Sequence, residues 1–167
     1  RNIGLADAGH TRSTDGYRYS ESSFMNGSGQ VAGIAYRFGT GAAELGQSAW
    51  LYDGSSTLNI GLTTAEYTRS FDGYRVSGSE FLNRSGQVAG YSYRYSAGGA
   101  QIGQSAWLYD GTTARNIGLT DAEHTNRLDG FRRSVGELFN EAGQVVGRDA
   151  SQPGGRYSVS GLHIAVL

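Results

Sequence analysis

Gly103-Gln104-Ser105-Ala106-Trp107-Leu108-Tyr109-Asp110-Gly111-Thr112-Thr113-Ala114-Arg115-Asn116-Ile117-Gly118-Leu119 has a near-copy, 57 residues earlier, at Gly46–Leu62. The chain opens on the tail of a further copy, Arg1-Asn2-Ile3-Gly4-Leu5, and closes on a degenerate head, Ser160–Leu167. A period of this length marks a repeat architecture. The unit itself reads as a β-hairpin. Ala106–Tyr109 is a short aromatic and aliphatic run suited to a pleated, half-buried surface. Asp110-Gly111 supplies the turn, because glycine accepts positive φ and aspartate tolerates a turn. The return strand is read at Ala114–Leu119. Trp50 and Trp107 sit at one repeat position among apolar neighbours and are read as core. Ile3, Ile60 and Ile117, with Val31, Val88 and Val145, recur in step with them and complete the candidate core.

Read in register, the chain is one domain of three repeats, 1–57, 58–114 and 115–167, and the first two agree at 35 of 57 positions without a gap. A polar connection comes first in each repeat. Thr63-x-x-Glu66 and Thr120-x-x-Glu123 match a capping box that starts a helical turn; the first copy has Ala6 and Gly9 there, so the turn is expected to be dispensable. Next come Asp15-Gly16-Tyr17-Arg18, Asp72-Gly73-Tyr74-Arg75 and Asp129-Gly130-Phe131-Arg132. Each leads through a turn into a strand that ends at Asn26, Asn83 or Asn140. A tight turn such as Asn83-Arg84-Ser85-Gly86 then opens a strand read from Gln87 to Tyr95, where Gly90 permits close backbone approach or a bulge. A glycine-rich loop, Ser96–Gly103, returns to the Trp strand. The reading is all-β, with four short antiparallel strands per repeat.

Composition agrees. The chain has 27 Gly, one Pro and 11 Tyr in 167 residues, and short apolar runs between the glycines read as tight turns in a β protein, not as disorder. Net charge is −1, so nothing points to nucleic acid or an anionic membrane surface. No apolar run approaches the ~20 residues that span a bilayer, so no membrane insertion is expected. The absence of cysteine removes disulfides and thiolate metal sites. All 14 basic residues are arginine. The start in mid-motif is read as that of a processed or excised piece.

The succession Asn-x-x-Gly-Gln-Val-(Ala/Val)-Gly, Ser-Ala-Trp-Leu-Tyr-Asp-Gly and Asn-Ile-Gly-Leu resembles the HAF repeat of bacterial extracellular proteins. That family is named for a His-Ala-Phe-Leu-Trp strand and often carries a C-terminal PEP-CTERM sorting signal. Ser48–Tyr52 and Ser105–Tyr109 would form that strand, and Asn83–Gly90 the Gly-Gln-Val-Val-Gly segment. Ser48 and Ser105 replace the name-giving His, and Leu162–Leu167 keeps only strand character. The resemblance implies a propeller-like, surface-associated protein and assigns no catalytic residues.

No Gly-x-Ser-x-Gly elbow, phosphate loop or His-Glu-x-x-His occurs, so no enzyme and no cofactor is expected. His10 and His124 are repeat-equivalent, with Tyr67 between them, and read as exposed loop residues. The Asp-Gly pairs lack the Asp-x-Asp ladder of a calcium loop; Asp15 and Arg18 read as a solvated surface pair. The polar residues peculiar to the third copy are Arg133, Asp149, Arg156 and His163. What remains for binding is alternating Tyr and Arg: Tyr17, Arg18, Tyr36, Arg37, Tyr74, Arg75, Tyr93 and Arg94. Such side chains stack on sugars or a partner, or simply cover a sheet face.

The expectation is therefore a non-enzymatic, extracellular or cell-surface β-propeller-like module with a structural or protein-interaction role. The alternatives are a lectin by function and a β-trefoil by fold. Its open blade edges are expected to pair in a homodimer, or with further repeats of a longer chain.

Overall fold

The computed structural model describes residues 2–150 and the backbone of 162–165. It is all-β. Among the described residues eleven strands form one open mixed sheet. The first repeat supplies β1 (Ser20–Met25), β2 (Val31–Phe38), β3 (Glu44–Tyr52) and β4 (Thr57–Ile60). The second supplies β5 (Arg75–Leu82), β6 (Val88–Tyr95), β7 (Gln101–Tyr109) and β8 (Ala114–Asn116), and the third β9 (Arg132–Phe139), β10 (Val145–Ala150) and β11 (Leu162–Ala165). The return strand is thus shorter than the sequence suggests, and the repeat boundary at residue 57 falls at the start of β4.

Within a repeat every pairing is antiparallel, as expected. Between repeats it is parallel, which the sequence did not announce. Gly46 and Gln47 pair with Arg75 and Val76, and Gly103 and Gln104 pair with Arg132 and Arg133. The Trp strand therefore forks. Its first residues join the next repeat, while Ala49–Tyr52 or Trp107–Tyr109 pair with their own return strand. Glycine is required at the fork: Gly103 has φ +112°, and a Cβ there would overlap the Arg132 carbonyl.

Strand alternation sends neighbouring residues to opposite faces, and the two faces join different clusters. Ala32, Ala49 and Leu51 lie on one face of the first repeat. They pack in one buried cluster with Val88, Trp107 and Tyr109 of the second, joined by Ile60, Leu62 and Tyr67. The opposite face of the first repeat carries Val31, Ala35 and Trp50, covered by Leu5 and Ile3. The pattern advances one repeat where Ala89 and Leu108 meet Val145, with Ile117 packed alongside. Of the expected core positions, Trp107, Ile60, Val88 and Val145 are buried in clusters that join repeats, Trp50 and Val31 are buried within the first repeat, and Ile3 and Ile117 pack partly buried against these clusters.

Of the two alternatives expected at Gly90, close backbone approach is the one found in its own strand. Gly90 faces Trp107 across the β6–β7 pair, and a Cβ would lie 2.5 Å from Trp107 Cζ2. The strand opposite is bulged between Ser79 and Phe81. Gly33 repeats the arrangement with Trp50 and a bulge between Ser22 and Phe24. In the third copy His163 takes the register position opposite Gly147 that Trp holds in the others.

The repeats are also joined by polar rungs. Asn26 Nδ2 donates to the carbonyl of Asn83, its own equivalent 57 residues on, at 2.8 Å, and Asn83 Nδ2 points to the Asn140 carbonyl at 3.4 Å. Ser79 Oγ donates to Gly33 O at 3.2 Å. The capping-box expectation is corrected. Thr64, not Thr63, precedes the 3₁₀ turn Ala65–Tyr67 and makes no side-chain cap. The capped turn is the one thought dispensable, Ala8–His10, where Asp7 accepts from Gly9 N. Glu66 is drawn away by two arginines.

Trp107 is completely buried at the junction of two repeats. Trp107→Ala should therefore lower stability by about 3–5 kcal/mol, measured by denaturant or thermal melts; an unchanged melt would place Trp107 outside the core.

Candidate functional site

The eight Tyr and Arg positions do not form one surface. Tyr17 is 43% exposed and meets the Phe38 ring edge-on at 6.0 Å. Tyr74 meets Tyr95 in the same way at 6.3 Å. Above each tyrosine stands an arginine that the sequence reading passed over: Arg12 lies 4.6 Å from the Tyr17 ring, and Arg69 4.6 Å from that of Tyr74. The same arginines grip the turn aspartates. Arg12 donates to both oxygens of Asp15, and Arg69 to both of Asp72. Asp15 is therefore not paired with Arg18, whose Nε donates to Thr11 Oγ1 at 2.8 Å. The signal was an Arg-x-x-Asp spacing present in both copies; Asn126 replaces the arginine in the third.

Tyr36 stacks on Tyr19 at 4.4 Å and Tyr93 on Tyr91 at 5.6 Å, so these rings cover strand faces in pairs. Arg37 and Arg94 sit where β2 and β6 lose register against β3 and β7. Each reaches across the junction. Arg37 Nη1 donates to Leu45 O and to Gly73 O of the next repeat, at 3.0 and 2.9 Å. Arg94 Nη1 makes the equivalent bonds to Ile102 O and Gly130 O, at 3.3 and 3.1 Å. Arg94 is only 5% exposed, so it belongs to the scaffold and not to an open binding surface.

The two junctions then differ. At the second, Glu66 Oε1 accepts from Arg94 Nε at 2.8 Å and from Arg132 Nη2 at 2.6 Å. At the first, Gly9 stands in the place of Glu66, and the equivalent arginines are Arg37 and Arg75. Burial and the proximity of Arg75 bring the Arg37 guanidinium down to about 10. Burial likewise lowers Arg75, partly offset by Asp7.

The histidine expectation is corrected as well. His10 is 4% exposed, its Nδ1 within 2.9 Å of Asp7 and its Nε2 3.0 Å from Ser48 Oγ. An acid, a histidine and a serine in series suggest nucleophilic catalysis, yet Ser48 is itself 2% exposed. In the second repeat Tyr67 OH bonds to Ser105 Oγ at 3.1 Å in the same place. The series ties the connecting loop to the Trp strand. Among the third-copy residues, Asp149 is buried and accepts from Leu119 N at 3.3 Å, the role Ser92 plays for Leu62 N. Arg133 lies in β9, while Arg156 and the His163 side chain fall outside the described residues.

Among the described residues no group of three or more His, Asp or Glu side chains could hold a metal ion. Among the described residues no helix is long and apolar enough to cross a membrane. No family model, curated protein or solved structure matches the chain.

The turn aspartates make the fold acid-sensitive. Hydrogen bonds from Arg12 and Tyr17 N hold Asp15 down to about 2, and those from Thr112 and Thr113 hold Asp110 down to about 2, against an ordinary value of 3.8. A depressed folded value stabilises above the unfolded one and is lost as pH falls through the folded one. Melting temperature should therefore hold above about pH 4 and fall between pH 4 and 2. Asp110→Asn should melt below the wild type at pH 5 and converge with it at pH 2; a constant gap across that range would contradict the assignment.

Proposed function

We propose that the chain is a non-enzymatic repeat module, extracellular or at a bacterial cell surface, that works by association through the end faces of its stack. Three repeats stacked face to face act as propeller-like blades in this reading, in keeping with the HAF-like motif. A trefoil is less favoured, because it closes its strands into a barrel and gives no reason for equivalent faces to stack in order.

One observation carries the reading. Inside the stack, the first-strand Phe of one repeat packs near the residue after its equivalent in the next. Phe24 and Leu82 join the same cluster, and Phe81 lies 6.3 Å from Phe139. At the two ends of the series the matching residues are left in solvent: Met25 is 76% exposed and Leu138 66% exposed. Polar rungs are left open alongside them. Asn83, with a repeat on each side, is 4% exposed, whereas Asn140 is exposed. Ser22 holds the position from which Ser79 bonds to Gly33 O. The end faces are thus two halves of an interface that the chain already builds twice, and a second copy supplies the missing half of each. Contact of that kind is heterologous and forms a ring or a filament. Two chains bring six repeats, within the ~4–8 blades of known propellers, so a homodimer closes the ring. Further repeats of a longer chain are the rival occupants.

Light scattering after size exclusion should give twice the 17.8 kDa chain mass. Met25→Glu and Leu138→Glu alter exposed side chains and should leave each chain folded, by circular dichroism, while each alone reduces it to a monomer. Mixed together, they retain one intact pair of faces and should form a 1:1 complex. A monomeric wild type overturns self-association, and a mixture that stays monomeric overturns the head-to-tail contact. The alternative reading as a lectin draws on the exposed Tyr17 ring under Arg12; a glycan array that lights up with the end-face variants as strongly as with the wild type would favour it.

A further inference from the structure

Comparison of the two repeat junctions exposes a difference that folding does not explain. The frame is the same in both. Arg37 and Arg94 are fixed by equivalent pairs of carbonyls, Leu45 with Gly73 and Ile102 with Gly130. Arg75 and Arg132 are fixed by the same parallel pairing, to Gly46 and Gly103. At the second junction the two guanidinium groups share one carboxylate oxygen, Glu66 Oε1. At the first, residue 9 is glycine and brings no carboxylate. Among the described residues neither Arg37 Nε nor the Arg75 guanidinium has a hydrogen-bond or ion-pair partner. Asp7 is an acid whose charge acts on both arginines and partly offsets their mutual repulsion. Its carboxylate is taken by His10 Nδ1 and Gly9 N and makes no ion pair with either arginine.

We propose that the first junction is a binding site for a ligand carboxylate, held between Arg37 Nε and the Arg75 guanidinium where Glu66 lies in the second junction. Two partly buried like charges repel one another unless an anion is placed between them. Arginine offers planar, directional donors suited to carboxylate, and these bonds are strong because both partners are charged. Gly9 brings no side chain into the junction; its φ is not positive, and a Cβ there would lie 3.2 Å from Asp7 Oδ1, so a side chain is accepted once the Asp7 carboxylate shifts slightly. The chain thus carries one junction that is closed by its own acid and one that is open to an acid from outside. The carboxylate can come from an acidic sugar or from an acidic amino-acid side chain. The site lies away from Met25 and Leu138, so it stands or falls apart from the end-face contact.

The chain itself supplies the controls. Acetate, D-glucuronate and N-acetylglutamic α-amide are titrated by NMR, reading the arginine Nε–H resonances, with glucose as the neutral control. The wild type should bind one carboxylate per chain, at Arg37 and Arg75. Gly9→Glu should fill the site from within, raise the melting temperature and abolish binding. Glu66→Gly should open the second junction, giving two sites. Arg75→Met should weaken binding by about ten- to a hundredfold, as loss of a bond to a charged group does. Tighter binding of glucuronate than acetate would mark an acidic sugar as the source, and tighter binding of the glutamate derivative an acidic peptide. Equal response to glucose, or undiminished binding in Gly9→Glu, overturns the proposal, as does a wild type whose arginine resonances no carboxylate shifts. If Glu66→Gly fails to fold, the Gly9→Glu and Arg75→Met results decide alone.

Discussion

The indole of Trp107 lies against the bare backbone of Gly90, and most of the molecule depends on that contact. A Cβ on Gly90 would press on Cζ2 of the ring and overlap the Gly78 carbonyl as well. The missing side chain therefore lets the indole lie flat on its own sheet and lets the neighbouring strand close in. A ring held in that way presents its other surface to the preceding repeat, where Ala32, Ala49 and Leu51 meet it. The small residues are as necessary as the large one, because a bulky side chain at Ala32 or Ala49 would separate the sheets. Dispersion falls off steeply with distance, so interdigitation of this kind has little tolerance for extra volume. One indole thus fixes both the packing inside a repeat and the spacing between repeats. It does so at some cost: the Trp50 and Trp107 Nε1 groups are buried without a hydrogen-bond partner among the described residues.

A stack built from such contacts needs a device to hold its register, since apolar faces alone can slide. The asparagine rungs provide it. Each Asn first organises its own turn, as when Asn83 Oδ1 accepts from Ser85 N and Gln87 N. Its Nδ2 is then left to reach the equivalent carbonyl one repeat on. The parallel pairs at Gly46 and Gly103 fix the opposite end of the interface. Hydrogen bonds are directional and costly to leave unmade in a buried setting, so two sets of them define the relative placement of successive repeats.

Much of this was legible in the sequence because it is local. The hairpins, the turn aspartates and the strands follow from residues a few positions apart, and the period gave the repeats directly. The core positions were legible too, since Trp, Val and Ile recur in step. What was not legible is what joins one repeat to the next. The two-residue parallel pairs carry no composition signature, and the fork of the Trp strand is visible only when two repeats are seen together. His10 was misjudged for the same reason: its partner Ser48 lies 38 residues away, and the exchange of His for Tyr looked like the freedom of an exposed site. Both side chains in fact place a polar atom on equivalent serines, His10 on Ser48 and Tyr67 on Ser105. Asp15 was misassigned because Arg18 was nearer to hand in the motif, although Arg12 lies one turn back in space.

The candidate binding residues read from the sequence do not gather into one surface. The tyrosines stack on one another or lie under Arg12 and Arg69, while Arg37 and Arg94 are fastened to backbone carbonyls. In a repeat protein, a feature present in every copy is explained by the stacking that every copy must satisfy. Information about binding resides where copies that share a frame differ in one chemical group. Positions 9 and 66 are such a pair. The arginines around them are the same and the carbonyls that hold those arginines are equivalent, while the acid shared by both arginines is Glu66 in the second junction and the first has only Asp7, where the second has Thr64. In the first junction Asp7 acts on both arginines but is held by His10 and Gly9, so Arg37 Nε and the Arg75 guanidinium keep donors that a carboxylate from outside the frame would suit.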